Sequence, residues 1–272
     1  MDIEVYKKII YAIGKHSGLS RDCKKVLVRM FPNIPSKTLS SILSLEYQKK
    51  MRKKHVKTKS VSESYMDKYN KGVKIIDIAK EVDIAPALVA RMILEEYLAS
   101  DIGNQQTVGS RRYVSELMKD TTRISDQRLS TEVYEAIAFD SLYGPIADCI
   151  KRTLGEQYEQ KLKCYAISMN LSFRDELQLR QSGFDKTPDL KLEIPIAVSG
   201  HVVNWIESKA SFADIETHKG YIKEQFMSYW NRFGPGLVIY WFGFVERLEN
   251  IEDTAHFIVR DKFPIDEIQF ME

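Results

Sequence analysis

The sequence predicts an α+β chain in which an all-helical N-terminal half precedes a C-terminal α/β core. Three observations carry this. Apolar residues recur at helical spacing through the first half. Two β-rich runs, Leu190 to Val198 and His201 to Ala210, flank Ser199-Gly200 at hairpin spacing. The run 237–244 (LVIYWFGF) is apolar on both faces, as a covered central strand is, and follows a helical stretch. With 272 residues, 44% of them hydrophobic, the chain is long enough for two ordinary domains, which the sequence divides after residue 110.

In order, residues 2 to 16 read as a helix with Ile3, Ile9, Ile10 and Ile13 apolar, closed by Gly14 and Gly18. Helices follow from Ser20 or Arg21 to Phe31, from a Ser36 cap to about His55, and from Ser60 to Tyr69. Residues 74–98 read as a helix-turn-helix-like pair, with Asp83-Ile84-Ala85 as the turn and Pro86 opening the second helix. That helix offers one basic residue, Arg91, before Glu95 and Glu96, so the pair is either a DNA-reading unit or a structural one. Ser100 to Ser110 reads as a linker. Further helices are expected at Arg112 to Lys119, Asp126 to Asp140 and Pro145 to about Cys164, then a short acidic one over Ser172 to Gln181, stopped by Gly183. After the hairpin, Lys219 to Phe233 is helical until Gly234-Pro235-Gly236, and Phe257 to Val259 and Ile268 to Phe270 read as edge strands.

Composition excludes several function classes. No run approaches the roughly 20 apolar residues of a membrane span, and the N-terminus is not built like a signal peptide. Cys23, Cys149 and Cys164 are widely spaced and form no C-x-x-C pair, and the five His form no H-E-x-x-H, which argues against disulfide, zinc-ribbon and His-built metal sites. P-loops, nucleotide-binding glycine fingerprints and G-x-S-x-G elbows are missing. The net charge of +2 is unevenly spread: the first 60 residues hold 15 Lys/Arg against four acids, a net +11, leaving −9 for the rest. A polyanion would meet the N-terminal part first. The run 49–59 (KKMRKKHVKTK) is a phosphate-contacting stretch led by Lys50, Arg52, Lys53 and Lys54, a nuclear localisation signal, or a solvated helix end.

Chemistry concentrates on the hairpin. Asp189 stands at the mouth of its first strand, and Glu207 and Lys209 share one face near the end of the second, with Ser208 pointing away and its carbonyl nearby. Two carboxylates and a carbonyl suit a hard divalent cation such as Mg²⁺, and the ammonium suits an attacking water or developing negative charge, so the cluster is either a site that cuts a phosphodiester or, as on any solvated hairpin, an E-x-K cross-face ion pair. Register poses a condition. With a two-residue turn, Val198 opposes His201, Leu192 opposes Glu207, and Asp189 faces away from Glu207 and Lys209. A three-residue loop with a bulge, a bulge near Pro195, or a bend at Asp189 would correct this.

The strings Lys186-Thr187-Pro188-Asp189, Trp205 to Phe212 (WIESKASF) and Tyr229 to Trp241 (YWNRFGPGLVIYW) resemble the TPD-motif branch of the PD-(D/E)XK nucleases over nearly the whole chain. The resemblance implies a PD-(D/E)XK core over 111–272 with a helical lead-in, and a nucleic-acid- or partner-binding helical domain over 1–110. It implies Mg²⁺ as cofactor, with Mn²⁺ able to substitute, held by Asp189, Glu207 and Ser208. Lys209 would be catalytic. A further acid on the helix before the core is implied, Glu159 by position, with Glu156 second. Gln225 and Tyr229 resemble the Q-x-x-x-Y element of RecB-like nucleases. The implied partners are nucleic acid, DNA ahead of RNA, and a codanin-like protein, with the nucleus as the first compartment and the cytoplasm second. The alternative from another class is a scaffold that keeps this fold and works mainly by docking such a protein.

Overall fold

In the computed structural model, residues 1–58, 62–101, 111–246, 248 and 256–270 are described. The chain divides into two compact units, Ile9–Arg152 and Met1–Lys8 with Thr153–Glu272. Among the described residues no helix is long and apolar enough to cross a membrane.

The first unit is helical. Its elements are the distal part of α1 (Ile3–Lys15), α2 (Ser20–Met30), α3 (Ser36–Thr58), α4 (Ser62–Asn70), α5 (Ile75–Val82), α6 (Pro86–Asp101), α7 (Arg111–Lys119), α8 (Gln127–Phe139) and the start of α9 (Pro145–Ser168). The expected division after residue 110 falls inside this unit, because α8 packs on α5 and α6. Most of the expected linker, 102–110, lies outside the described residues.

The α5–α6 pair has the short turn its sequence suggests, yet α6 is the centre of the unit rather than a reading helix. It packs against α4, α5, α7 and α8, and Ala87, Val89, Ala90, Ile93 and Leu94 are all buried. A helix apolar on most sides belongs in a core. Arg91 is spent on Ser115, whose hydroxyl lies 3.2 Å from both guanidinium amino groups.

Two of the four basic-run residues are likewise engaged within the unit. Asp83 ends α5 in the left-handed region (φ 55°). Lys50 Nζ and Lys54 Nζ each donate to its carboxylate at 2.8 Å, and Lys54 also donates to the carbonyls of Val82 and Asp83. The two lysines thus neutralise the C-terminal end of α5 and tie α3 to it. Arg52 and Lys53 stay exposed, and side chains from His55 to Ser62 lie outside the described residues.

The second unit is a mixed sheet between helices. Its strands, β1 (Phe173–Asp175), β2 (Leu190–Val198), β3 (His201–Lys209), β4 (Gly236–Tyr240) and β5 (Phe257–Arg260), lie in that order, and β6 (Ile268–Phe270) pairs with β2. The β1–β2, β2–β3 and β2–β6 pairs are antiparallel; β3–β4 and β4–β5 are parallel. On one face Leu162 and Ala166 of α9 pack with Leu190, Ile206, Leu237 and Ile239. On the other, Trp205, Val238, Tyr240 and Phe257 meet Ile222, Phe226 and Tyr229.

Three local readings are corrected. Residues 173–175 form a strand, because their backbone finds β2 as partner, and Asp175 then caps α10 (Glu176–Gln181) with a full capping box. The strand expected over 237–244 ends at Tyr240; Trp241 and Phe242 turn, and their side chains pack against Tyr158 instead. The helix expected over 219–233 starts earlier, as α11 (Ile215–Tyr221), and passes through a π turn (Ile222–Phe226) into α12 (Met227–Phe233). Its capping residue Asp214 accepts from the Thr217 N–H, a start signal the apolar pattern missed.

A Cβ on Gly236 would overlap ring atoms of fully buried Trp205, so Gly236→Ala should cost about 3 kcal/mol. An unchanged melting temperature would show that this contact does not hold the unit. At Asp83, burial pushes the carboxyl upward, but the hydrogen bonds from Lys50 and Lys54 win and leave it below its usual range. A lowered folded value stabilises above the unfolded pKa of ~3.9, and that stability is lost as pH falls through the folded value. Asp83→Asn should therefore cost about 1 kcal/mol at pH 7 in urea unfolding, after discounting for solvent screening, and the gap should close toward pH 3. A gap independent of pH would refute the ion-pair account.

Candidate active site

Register assembles the site. Ser199 (φ 49°) and Gly200 (φ 80°) make the two-residue turn, and Val198 opposes His201. Further along, Lys191 opposes Trp205 while Ile196 opposes Val203, so residues 192–195 of β2 stand against Asn204 alone. This bulge shifts the pairing by three residues, an odd number. Extending the Leu190–Ile206 pairing by one residue places Asp189, in the bend before β2, opposite Glu207 on the same face. The correction expected near Pro195 is present.

The resulting contacts are short. The Ser208 N–H donates to Asp189 Oδ2 at 2.6 Å, and the Asp189 N–H donates to Glu207 Oε2 at 3.3 Å. Lys209 Nζ donates to Glu207 Oε1 at 2.6 Å and to Gln225 Oε1 at 2.8 Å, and it lies 4.8 Å from the centre of the Tyr221 ring. Gln225 sits inside the π turn, a one-residue widening that re-aims a side chain. The Ser208 side chain points to the opposite face, where its Oγ accepts from Trp241 Nε1 at 2.8 Å. Since the N–H and C=O of a strand residue leave by the same edge, the Ser208 carbonyl points toward β2, as its N–H does.

Electrostatics mark the cluster as strained. Glu207 is 4% exposed. Burial, then the Glu207 charge, pushes the Asp189 carboxyl well above its usual range. Burial also raises Glu207, against the opposing pull of Lys209. For Lys209, burial alone would lower the pKa, but Glu207 and Asp189 together raise it, so the ammonium stays charged. Burial, followed by the Glu207 and Asp189 charges, drives the Tyr229 phenol far upward; it remains a neutral hydroxyl, its ring edge-on to Trp205 at 5.3 Å.

Glu159 on α9 is within electrostatic reach of Asp189 and Lys209, and its carboxyl is raised by burial and by Glu176. Glu156 is exposed, and its charge also raises the Glu159 carboxyl. Sequence reading missed Glu176, which opens α10, repels Glu159 and Glu207, and is held by two bonds from Arg180 at 2.8 and 2.6 Å. A short acidic helix gives no signal of such proximity. The Trp241–Ser208 bond was likewise not foreseen, although Trp241 closes the run 229–241 that resembles the TPD family. Lys50, Arg52, Lys53, Lys54 and Arg91 belong to the helical unit described above.

Among the described residues no three His, Cys, Asp or Glu side chains gather closely enough to hold a metal by themselves. A hard cation of the Mg²⁺ type needs only one or two carboxylates, with waters completing its shell. Asp189 and Glu207 supply those, and their ionised forms are opposed by burial and, for Asp189, by its neighbour's charge. A divalent cation would relieve both, so the donor set fits.

The pattern of a family described as "Protein of unknown function TPD sequence-motif" matches residues 125–263. The chain is 43% identical over 256 residues to the "CDAN1-interacting nuclease 1" of Mus musculus, which covers 91% of this chain and 90% of that protein. The Homo sapiens protein of the same name is 45% identical over 239 residues, 85% of this chain and 84% of its own length. The Danio rerio protein is 42% identical over 256 residues, 91% and 84% of the two chains. No solved structure gives a significant match.

The raised Asp189 carboxyl has a measurable consequence. A carboxyl whose folded value exceeds its unfolded one withdraws stability as pH rises through the interval between them. Asp189→Asn should therefore raise the melting temperature by a few degrees in EDTA at pH 8, and the gain should vanish near pH 3.5, below the ordinary Asp value of ~3.9. Lower thermal stability of the variant at pH 8 would show that the Asp189 charge is compensated.

Proposed function

This chain belongs to the TPD sequence-motif family, and from that premise we propose that it is a metal-dependent nuclease of PD-(D/E)XK type acting on nucleic acid, DNA ahead of RNA. The curated relatives are named nucleases, which supports hydrolysis of phosphodiesters at family level. The observation that carries the finer reading is the odd register shift, since it is what brings Asp189, Glu207 and Lys209 to one face.

In this reading Asp189 and Glu207 hold Mg²⁺, with the Ser208 carbonyl beside them and Glu159 as the next acid. When bound, the cation polarises the scissile phosphate and acidifies a coordinated water. The protein's own groups do the rest. Lys209, kept protonated by the two carboxylates and aimed by Gln225, orients the water or meets the negative charge that develops on the phosphate. Tyr229, kept a neutral phenol within electrostatic reach of the acids, retains a proton to donate to the phosphate. The Trp241–Ser208 bond fixes the strand segment whose N–H holds Asp189.

The relatives' printed name motivates a second reading, in which the chain also binds a codanin-like protein. Single-turnover cleavage of labelled duplex, single-stranded and branched DNA and RNA with Mg²⁺ or Mn²⁺ separates the two. Asp189→Asn and Glu207→Gln should abolish cleavage, and EDTA should do the same to the parent. Lys209→Ala should slow cleavage by roughly 10²-fold or more while Mn²⁺ affinity by calorimetry changes little. Cleavage in EDTA would refute the metal mechanism, full turnover by the Lys209 variant would return that residue to a structural ion pair, and no cleavage of any of these substrates would leave protein docking as the remaining function.

A further inference from the structure

We propose that the helical unit carries a docking groove for an acidic amphipathic helix of a protein partner. A cavity of about 670 Å³ lies along α2, walled by the end of α8 and the start of α9. Its floor is apolar and open to solvent: Val28, Phe139, Ile146 and Ile150 are 40, 43, 42 and 62% exposed. Large apolar side chains exposed singly need no explanation, but four around one groove mark an interaction surface. The rim is cationic, because α2 contributes Arg21, Lys24, Lys25 and Arg29 to it. A second cavity of about 750 Å³ shares Arg21, Lys25 and Phe139 with the first and adds Lys74 and Lys80, so the groove is elongated.

The acids nearby cancel only part of this rim. Asp140 is turned inward, where it accepts the N–H groups of Ala87, Leu142 and Tyr143. Asp22 and Asp77 neutralise Lys25 and Lys80, which leaves Arg21, Lys24, Arg29 and Lys74 as the excess charge of the groove. Glu135, half-buried, is the remaining acid lining the second cavity. Lys24 and Arg29 have no ion-pair partner among the described residues, and the Arg21 guanidinium lies 5.7 Å from the centre of the Phe139 ring.

An apolar floor between cations is complementary to a helix with apolar anchors at i, i+3, i+4 and i+7 flanked by Glu and Asp. A nucleic-acid backbone would use the rim but set phosphates against the apolar floor, which favours protein as occupant.

The test uses the full chain and a fluorescein-labelled synthetic helix of roughly 18 residues, Leu at helical spacing and Glu beside it, with its scrambled isomer and its Glu→Lys counterpart. The Glu helix should bind, and the scrambled isomer at least about tenfold more weakly. Arg21→Glu/Lys24→Glu/Arg29→Glu should lose the Glu helix and gain the Lys helix, a swap that a misfolded variant cannot give. Ile150→Asp should weaken binding about tenfold with an unchanged melting temperature. Equal binding of the scrambled peptide overturns the inference. So does full affinity in Ile150→Asp together with displacement of the helix by a DNA duplex, which would make the groove a phosphate-binding surface.

Discussion

The bulge at residues 192–195 is the constraint on which the rest of the mixed unit depends. A regular ladder from the Ser199-Gly200 turn would put Asp189 on the face opposite Glu207; the three-residue offset puts both on the face that carries Lys209. The same bulge divides the outer edge of β2. Residues 190–192 pair with β1, and residues 196–198 pair with β6. Pro195, which has no N–H to donate, falls in the gap between the two partners, where a ladder bond is not required. One local irregularity therefore sets the site's geometry and lets two short strands cover one edge.

What the bulge brings together is costly to hold. Asp189 and Glu207 are buried acids, and a buried ion pair such as Glu207–Lys209 is weak evidence for stability, because desolvation offsets much of the attraction. The stability comes from elsewhere: Trp205 stacked under Gly236, Tyr240 and Val238 against the α11–α12 segment, and α9 closing the other face. The polar contacts within the site serve position instead. Gln225 reaches Lys209 because the π turn re-aims it, and such turns cost helix regularity, so this one has a use beyond packing.

Much of this was legible in the sequence, for identifiable reasons. Helix periods and Gly/Pro stops gave the helical half to within a few residues, and the Ser199-Gly200 spacing gave the hairpin. The alternation of Glu207, Ser208 and Lys209 gave the side-chain directions. The misses share a cause, which is that long-range partners outweigh local pattern. Residues 173–175 have an acidic helical run downstream but find β2; Trp241 and Phe242 continue an apolar run but find Tyr158. The register itself was beyond sequence, because a turn fixes only the pairs next to it. Its correction could be required from the chemistry but not located among the three ways of making it.

The charge of the N-terminal half shows why composition locates function poorly. A net +11 over the first 60 residues suggests a phosphate-binding surface. Yet Lys50 and Lys54 are consumed by Asp83 and the end of α5, and Arg91 by Ser115, so three of the five residues chosen for nucleic acid do structural work inside the unit. The cations left open to solvent include the α2 stripe, and that stripe borders exposed valine, phenylalanine and isoleucine. A charge excess specifies a partner only through the surface on which its unspent members stand. Here that surface is half apolar, which phosphates do not match and a folded segment of protein does.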